Sequence, residues 1–157
     1  MSNDTVNLTY PEAGIALVVM EERAQRNTFS KALVEGLMTT FAQISENPAV
    51  KVVVLHGYDN YFCCGGTQEL LIQIYEGKLN FNHLPIYRLL LDCAVPTISA
   101  MQGHALGGGF TFGCYADLIV MAEESMYGAN FMKYGFTPGM GSTYILPHKF
   151  GAHCNQD

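Results

Sequence analysis

The chain has 157 residues, enough for one domain with a sizeable hydrophobic core, and its 49% apolar and 14% charged content excludes a disordered polymer. A formal net charge of -6 without a basic patch speaks against nucleic-acid binding. No run of residues approaches the roughly twenty apolar positions of a membrane span.

Residues 1–9 are polar and lack a signal-peptide pattern. The five cysteines (Cys63, Cys64, Cys93, Cys114, Cys154) are odd in number, mostly in apolar settings, and have no Cys/His pairs at metal-binding intervals. Reduced thiols in a cytoplasmic protein without a bound metal are therefore expected. The low charged fraction further suggests that other copies of the chain cover part of the surface.

In chain order, Gly14–Met20 reads as a first buried strand. Ser30 suits a helix N-cap, and Leu33, Val34, Leu37, Met38, Phe41 and Ile44 then recur at helical spacing until Pro48 ends the pattern. Val50–Leu55 is a β-branched run and the second strand. A glycine loop, Phe62-Cys63-Cys64-Gly65-Gly66-Thr67, leads into a helix over Thr67–Tyr75. Glu76–Pro85 is polar and turn-rich, a loop or lid, and Ile86–Cys93 is a short helix. Pro96–Met101, a third strand, feeds a second glycine loop over Gly103–Gly109, and a small-residue helix follows to Tyr115. Asp117–Ala122 is a fourth strand, and Tyr134–Gly141 is a glycine- and proline-bearing turn. Strand–helix alternation of this kind predicts an α/β domain with right-handed crossovers. Ligands on such sheets sit beyond the carboxyl ends of the strands, where both glycine loops are expected.

Glycine permits positive φ and lets another molecule approach the main chain. Two strand-to-helix turns of this type can aim two backbone N–H groups at one point, which stabilises an oxyanion. A dinucleotide-binding turn is excluded because Phe112 stands where the third glycine of that fingerprint belongs and the loop comes late in the chain. A carbonyl oxygen that gains negative charge suits such a pocket, each donor contributing ~2.7–4 kcal/mol in the transition state. A thioester enolate fits that description.

Side chains for acid–base work are few. Glu69 follows the first loop but has the position of a helix-dipole residue, and His104 precedes the second glycine run, where loop hydrogen bonding is the plainer role. His83 and Lys78 lie in the polar loop, and Asp59 and Asp92 read as turn and helix-end residues. No nucleophile elbow and no Ser-His-Asp pattern is present.

Asn27-Thr28-Phe29-Ser30, the two glycine loops, Ala116-Asp117 and Thr137-Pro138-Gly139-Met140-Gly141 together resemble the crotonase superfamily of enoyl-CoA hydratases and isomerases, over residues 6–151. The resemblance implies one crotonase-like core domain across residues 1–157, built from repeated strand–helix (ββα) units, with the C-terminal helical part missing and residues 152–157 atypical. It assigns the paired N–H groups to Gly66 and Gly108 and places Arg26, Asn27, Gly65, Gly107 and Phe131 at substrate-binding positions. Acyl thioesters of CoA or of an acyl carrier protein are the implied partners, with no cofactor and a homotrimeric assembly. Hydratases of the family carry two catalytic glutamates. Their positions here hold Thr111 and Phe131, so hydration of a double bond is not expected.

Longer segments are similar to a narrower group: Tyr58-Asp59-Asn60-Tyr61-Phe62, Gly65-Gly66-Thr67-Gln68-Glu69, Met101-Gln102-Gly103-His104 and residues 130–141 look like the decarboxylases of polyketide β-branching cassettes. That likeness implies loss of CO2 from a 3-methylglutaconyl-type thioester on an acyl carrier protein. The group uses a lid-loop lysine directly before the phenylalanine matched by Phe81. Asn80 fills that slot, and Lys78, two residues earlier, is the candidate cation for the substrate carboxylate. The group's proton-donating histidine lies in C-terminal helices, and neither His148 nor His153 occupies its place. Alternative expectations are an enoyl-thioester double-bond isomerase, which shares the dienolate, and a non-catalytic acyl-carrier-binding or assembly protein.

Overall fold

Three short, largely apolar runs, residues 15–20, 52–56 and 97–101, alternate between buried and half-exposed positions, the period of a strand with one face on a core. The computed structural model describes residues 5–80 and 85–151. In it, strands β1 (Val6–Thr9), β2 (Ile15–Met20), β3 (Val52–His56), β5 (Thr97–Met101) and β7 (Leu118–Met121) form one sheet in the order β1-β2-β3-β5-β7. All neighbours are parallel except β1, which runs antiparallel to β2 and closes that edge. The register aligns Leu17 with Val54, Val54 with Ile98 and Ile98 with Leu118. On the opposite face Ala16, Val18, Met20, Val53, Leu55 and Met101 are buried in the core. Helix α1 (Lys31–Ser45) lays Leu33, Leu37, Phe41 and Ile44 into that same core. Its start is set by Ser30, whose hydroxyl accepts from the Leu33 N–H at 3.1 Å.

A second sheet carries the glycine loops. Strands β4 (Tyr61–Cys63), β6 (His104–Leu106) and β8 (Tyr127–Gly128) pair in parallel in the order β4-β6-β8. Strands β3 and β5 of the large sheet are each followed by a short strand of the small one and then a helix: β3–β4–α2 (Gln68–Tyr75), and β5–β6–α4 (Gly108–Gly113). A third pair, β7–β8, leads through a 3-10 turn at Asn130–Tyr134 to α5 (Ser142–Phe150). A further 3-10 turn, Pro85–Tyr87, enters α3 (Arg88–Leu91). This is the expected α/β plan of ββα units.

One expectation changes. The glycine loops do not leave the large sheet; they leave the carboxyl ends of β4 and β6. The crossing between sheets requires glycine at Gly103, whose φ is +91° and where a Cβ would stand 2.2 Å from the carbonyl carbon of Asn60. Cys63, Cys64, Cys93 and Cys114 are free thiols. Among the described residues, no helix is long and apolar enough to cross a membrane.

Candidate active site

The two glycine turns meet. A Cβ on Gly65 (φ +83°) would lie 2.9 Å from the Leu106 carbonyl oxygen and 3.4 Å from the Gly108 nitrogen. Each turn is anchored by main chain: Phe29 N–H donates to the Gly65 oxygen and Gly107 N–H donates to the Gly128 oxygen, both at 2.7 Å. Gly107 adopts φ 54° and ψ -125°, a conformation that only glycine takes readily. After the first turn, the Thr67 hydroxyl accepts from the Leu70 N–H at 3.1 Å and starts α2. Gly65, Gly66, Gly107 and Gly108 all line one cavity of about 450 Å³.

Apolar side chains close the rest of it. Leu70 and Leu71 come from α2, Phe131 from the 3-10 turn, Phe29 from the segment before α1, and Phe136 and Met140 from the turn before α5. Among the described residues that line the cavity there is no carboxylate, histidine or lysine. Cys64 is the one lining thiol; burial raises its pKa and nearby Arg26 partly opposes the shift. Where the family resemblance places carboxylates, Thr111 is fully buried with its hydroxyl donating to the Gly107 oxygen at 3.2 Å, and Phe131 is a buried phenyl. The enclosure can bind an acyl chain and present main-chain dipoles to a carbonyl. Among the described residues it offers no carboxylate to activate water.

The structure therefore brings together Gly65, Gly66, Gly107, Gly108 and Phe131. It does not bring Asn27 to them. Asn27 is fully buried; its amide donates to the carbonyls of Met20 (2.9 Å) and Phe62 (3.0 Å), and its side-chain oxygen accepts from Glu22 N–H at 2.7 Å. Those bonds tie Asn27 to the main chain at Met20, Glu22 and Phe62. Arg26 is exposed, with its guanidinium 5.5 Å from the Tyr61 ring centroid, and it is outside the lining. Lys78 is also outside: its ammonium is 2.6 Å from a Glu76 carboxylate oxygen, in an adjoining depression that shares Phe136 with the main cavity.

The remaining acid–base candidates have structural partners. His104 Nδ1 accepts from Met126 N–H at 3.0 Å, Asp59 pairs with Arg23, Asp92 pairs with Arg88, and His148 stacks on Tyr144. Glu69 lies in the first turn of α2. Phe81, His83 and His153 lie outside the described residues. Among the described residues, no three potential metal ligands cluster. Asn130, Tyr134, Phe136 and Met140 line the cavity without having been singled out from sequence. Their only signal is the likeness of residues 130–141 to the β-branching decarboxylases, because the chain returns to the first glycine loop from some seventy residues away in a way no local pattern encodes.

A family model described as enoyl-CoA hydratase/isomerase matches residues 11–156. The bacillaene synthase decarboxylase PksI of Bacillus subtilis (strain 168) is 48% identical over 157 residues, covering 100% of this chain and 63% of that protein. The human mitochondrial enoyl-CoA hydratase domain-containing protein 2 is 32% identical over 148 residues, covering 92% of this chain and 51% of its own. Among solved structures, one from a dehydratase/decarboxylase enzyme couple involved in polyketide beta-branching superposes with a TM-score of 0.94 at 50% identity, over 96% of this chain and 60% of that one. The ECH2 decarboxylase domain of CurF from Lyngbya majuscula gives a TM-score of 0.88 at 42% identity, over 96% and 61%. The chain thus spans less than two thirds of the length of these relatives.

Proposed function

Because the chain belongs to the enoyl-CoA hydratase/isomerase family, we propose that it removes CO2 from a 3-methylglutaconyl-type thioester carried on an acyl carrier protein. The observation that carries this reading is the pairing of two glycine turns over one apolar cavity whose described lining residues include no carboxylate. The likeness to the PksI and CurF decarboxylases supports the same choice within the family.

In the proposed reaction the thioester oxygen sits against the N–H groups of Gly66 and Gly108. The bond to the distal carboxylate carbon breaks and CO2 leaves. The electron pair enters the conjugated system as a dienolate, with its charge on the thioester oxygen. Carbon then takes up one proton to give a 3-methylcrotonyl-type thioester. No water is added, so the replacement of both hydratase carboxylates by Thr111 and Phe131 is compatible with the chemistry. The apolar walls favour loss of charge from the carboxylate, and the main-chain donors are preorganised where charge develops.

Lys78 is the proposed holder of the substrate carboxylate. A lysine ammonium is a compact charge on a long stem, suited to reaching over a cavity rim. To act, Lys78 exchanges Glu76 for the substrate around Phe136, the residue common to both depressions.

Incubation with 3-methylglutaconyl carrier protein tests the proposal by intact-protein mass spectrometry. Loss of the mass of one CO2 from the carrier is the expected result. An unchanged mass with altered ultraviolet absorption identifies an isomerase instead, and tight binding without change identifies a carrier-binding protein.

A further inference from the structure

The cavity contains one feature that two backbone donors do not account for. Asn130 begins the 3-10 turn after β8, and its side chain faces the second glycine turn: its oxygen lies 3.1 Å from the point a Cβ on Gly107 would occupy. Gly107 directly precedes the peptide that carries the Gly108 N–H. Among the described residues, nothing hydrogen-bonds to the Asn130 carboxamide. Of the other polar side chains in the lining, Gln68 and Tyr134 are exposed, whereas Asn130 is half-buried.

A half-buried amide without a protein partner is solvated while the cavity is empty and is free to bond a ligand that displaces that water. The sequence neighbour, Phe131, has no polar atom in its side chain, and Thr111 spends its hydroxyl on the Gly107 oxygen. Hydrogen-bonding capacity at this end of the cavity is thus held by Asn130.

We propose that the Asn130 carboxamide is a third donor to the thioester oxygen, a catalytic residue beside the Gly66 and Gly108 N–H groups. The inference rests on the thioester-binding reading above. An amide suits the task for a definite reason. It donates a hydrogen bond to a growing negative charge and has no proton to lose, so it stabilises a dienolate without adding the acid–base activity that would hydrate it. A carboxylate at the same place would repel the developing charge. Nothing new is formed or broken by Asn130; it changes only the stability of the anion.

The test uses 3-methylcrotonyl pantetheine thioester labelled with ¹³C at its carbonyl, read by difference infrared spectroscopy on the wild-type chain, Asn130→Ala and Asn130→Asp. Hydrogen bonds to the oxygen lower the carbonyl frequency. The wild-type complex is expected to show a lowered band, and Asn130→Ala a band part-way back to the free value. In Asn130→Asp the lowering should be present only at acidic pH, where the side chain is a protonated donor, and absent at neutral pH. A pH-dependent band within one variant cannot arise from misfolding of that variant relative to another. On a turning-over substrate, loss of the donor should lower kcat by about 100-fold or more with little change in KM. An Asn130→Ala band identical to wild type overturns the inference and leaves the thioester site intact. A wild-type complex with no lowered band overturns the thioester reading itself, and this inference with it.

Discussion

A methyl group on Gly108 would stand 2.8 Å from the sulfur of Met140 and 3.2 Å from Cε2 of Phe29. Gly108 is therefore clamped between two side chains from distant parts of the chain. Met140 is in turn held by its own backbone, with φ 55° and its carbonyl accepting from the Tyr115 hydroxyl at 2.7 Å.

Gly108→Ala should force Met140 away and lower stability by about 1–3 kcal/mol. Adding Met140→Ala in the same chain should recover part of the loss, because it removes the clash. Gly109→Ala should be far worse, since its Cβ would meet the Cys63 carbonyl oxygen at 2.1 Å, and main chain cannot swing aside as a thioether can. Urea unfolding midpoints of the variants check the order. A Gly109→Ala protein as stable as Gly108→Ala would contradict it.

Asn27→Ala strands the Met20 and Phe62 carbonyls and the Glu22 N–H in the interior. Each unpaired buried group costs about 1–3 kcal/mol, so the substitution should leave little folded protein at ordinary temperature. Asn27→Asp keeps the acceptor and loses both donors, and should fall between. Circular dichroism melting curves decide this. An Asn27→Ala melting temperature near wild type would show that the bonds are not the anchor described.

The Asp117 carboxylate is held below its usual range, first by the Thr97 N–H at 2.7 Å, then by the Thr97 hydroxyl at 2.9 Å and the charge of Lys149, with burial opposing. A lowered folded-state pKa contributes stability above the unfolded pKa of about 4, and that contribution is lost as pH falls through the lower folded value. Acid unfolding should therefore be less steep in Asp117→Asn, which cannot titrate. Parallel acid titrations of both proteins by tyrosine fluorescence or circular dichroism test it; superimposable curves would remove Asp117 from the acid response.

Crotonyl-CoA should not be hydrated at a detectable rate, since each missing acid–base group typically removes about 10²–10⁴-fold. Lys78→Met should slow decarboxylation of the carrier-bound substrate without moving the unfolding midpoint, because its side chain is mostly exposed. Turnover unchanged in Lys78→Met would assign the carboxylate to another cation, with Arg88 and Lys133 next to be replaced.

Alkylation separates the thiols. Burial pushes Cys63 and Cys114 up to about 12, so iodoacetamide at about pH 8 should leave both intact until the chain unfolds. Cys64 lines the cavity and should be labelled slowly, and more slowly still with a bound acyl pantetheine. Tandem mass spectrometry distinguishes the adjacent Cys63 and Cys64; equal labelling of the two would conflict with their different burial.

Much of this fold was legible where local chemistry is strong. Ser30 marks the start of α1, and short apolar runs mark β2, β3 and β5, because capping and burial act over a few neighbouring residues. The short strands β1, β4, β6 and β8 were not legible. His104–Leu106 offers three residues, too few to display a period, and it reads as part of a glycine loop. Helix α5 is obscured by Pro147 inside it and by its weak apolar spacing. The glycines at the candidate site announce themselves by composition. Asn130 and Met140 do not, since their importance arises only when the chain folds back on the two turns.

Both turns are fastened by main-chain bonds, Phe29 N–H to Gly65 and Gly107 N–H to Gly128. Their position thus rests on main chain and, at Gly108, on Phe29 and Met140, more than on the other walls. A library that varies Leu70, Leu71, Phe131, Tyr134 and Phe136 together would retain the same backbone frame while changing what it accepts. For protein engineering, the frame can be kept fixed as a reusable chassis and the walls treated as exchangeable parts.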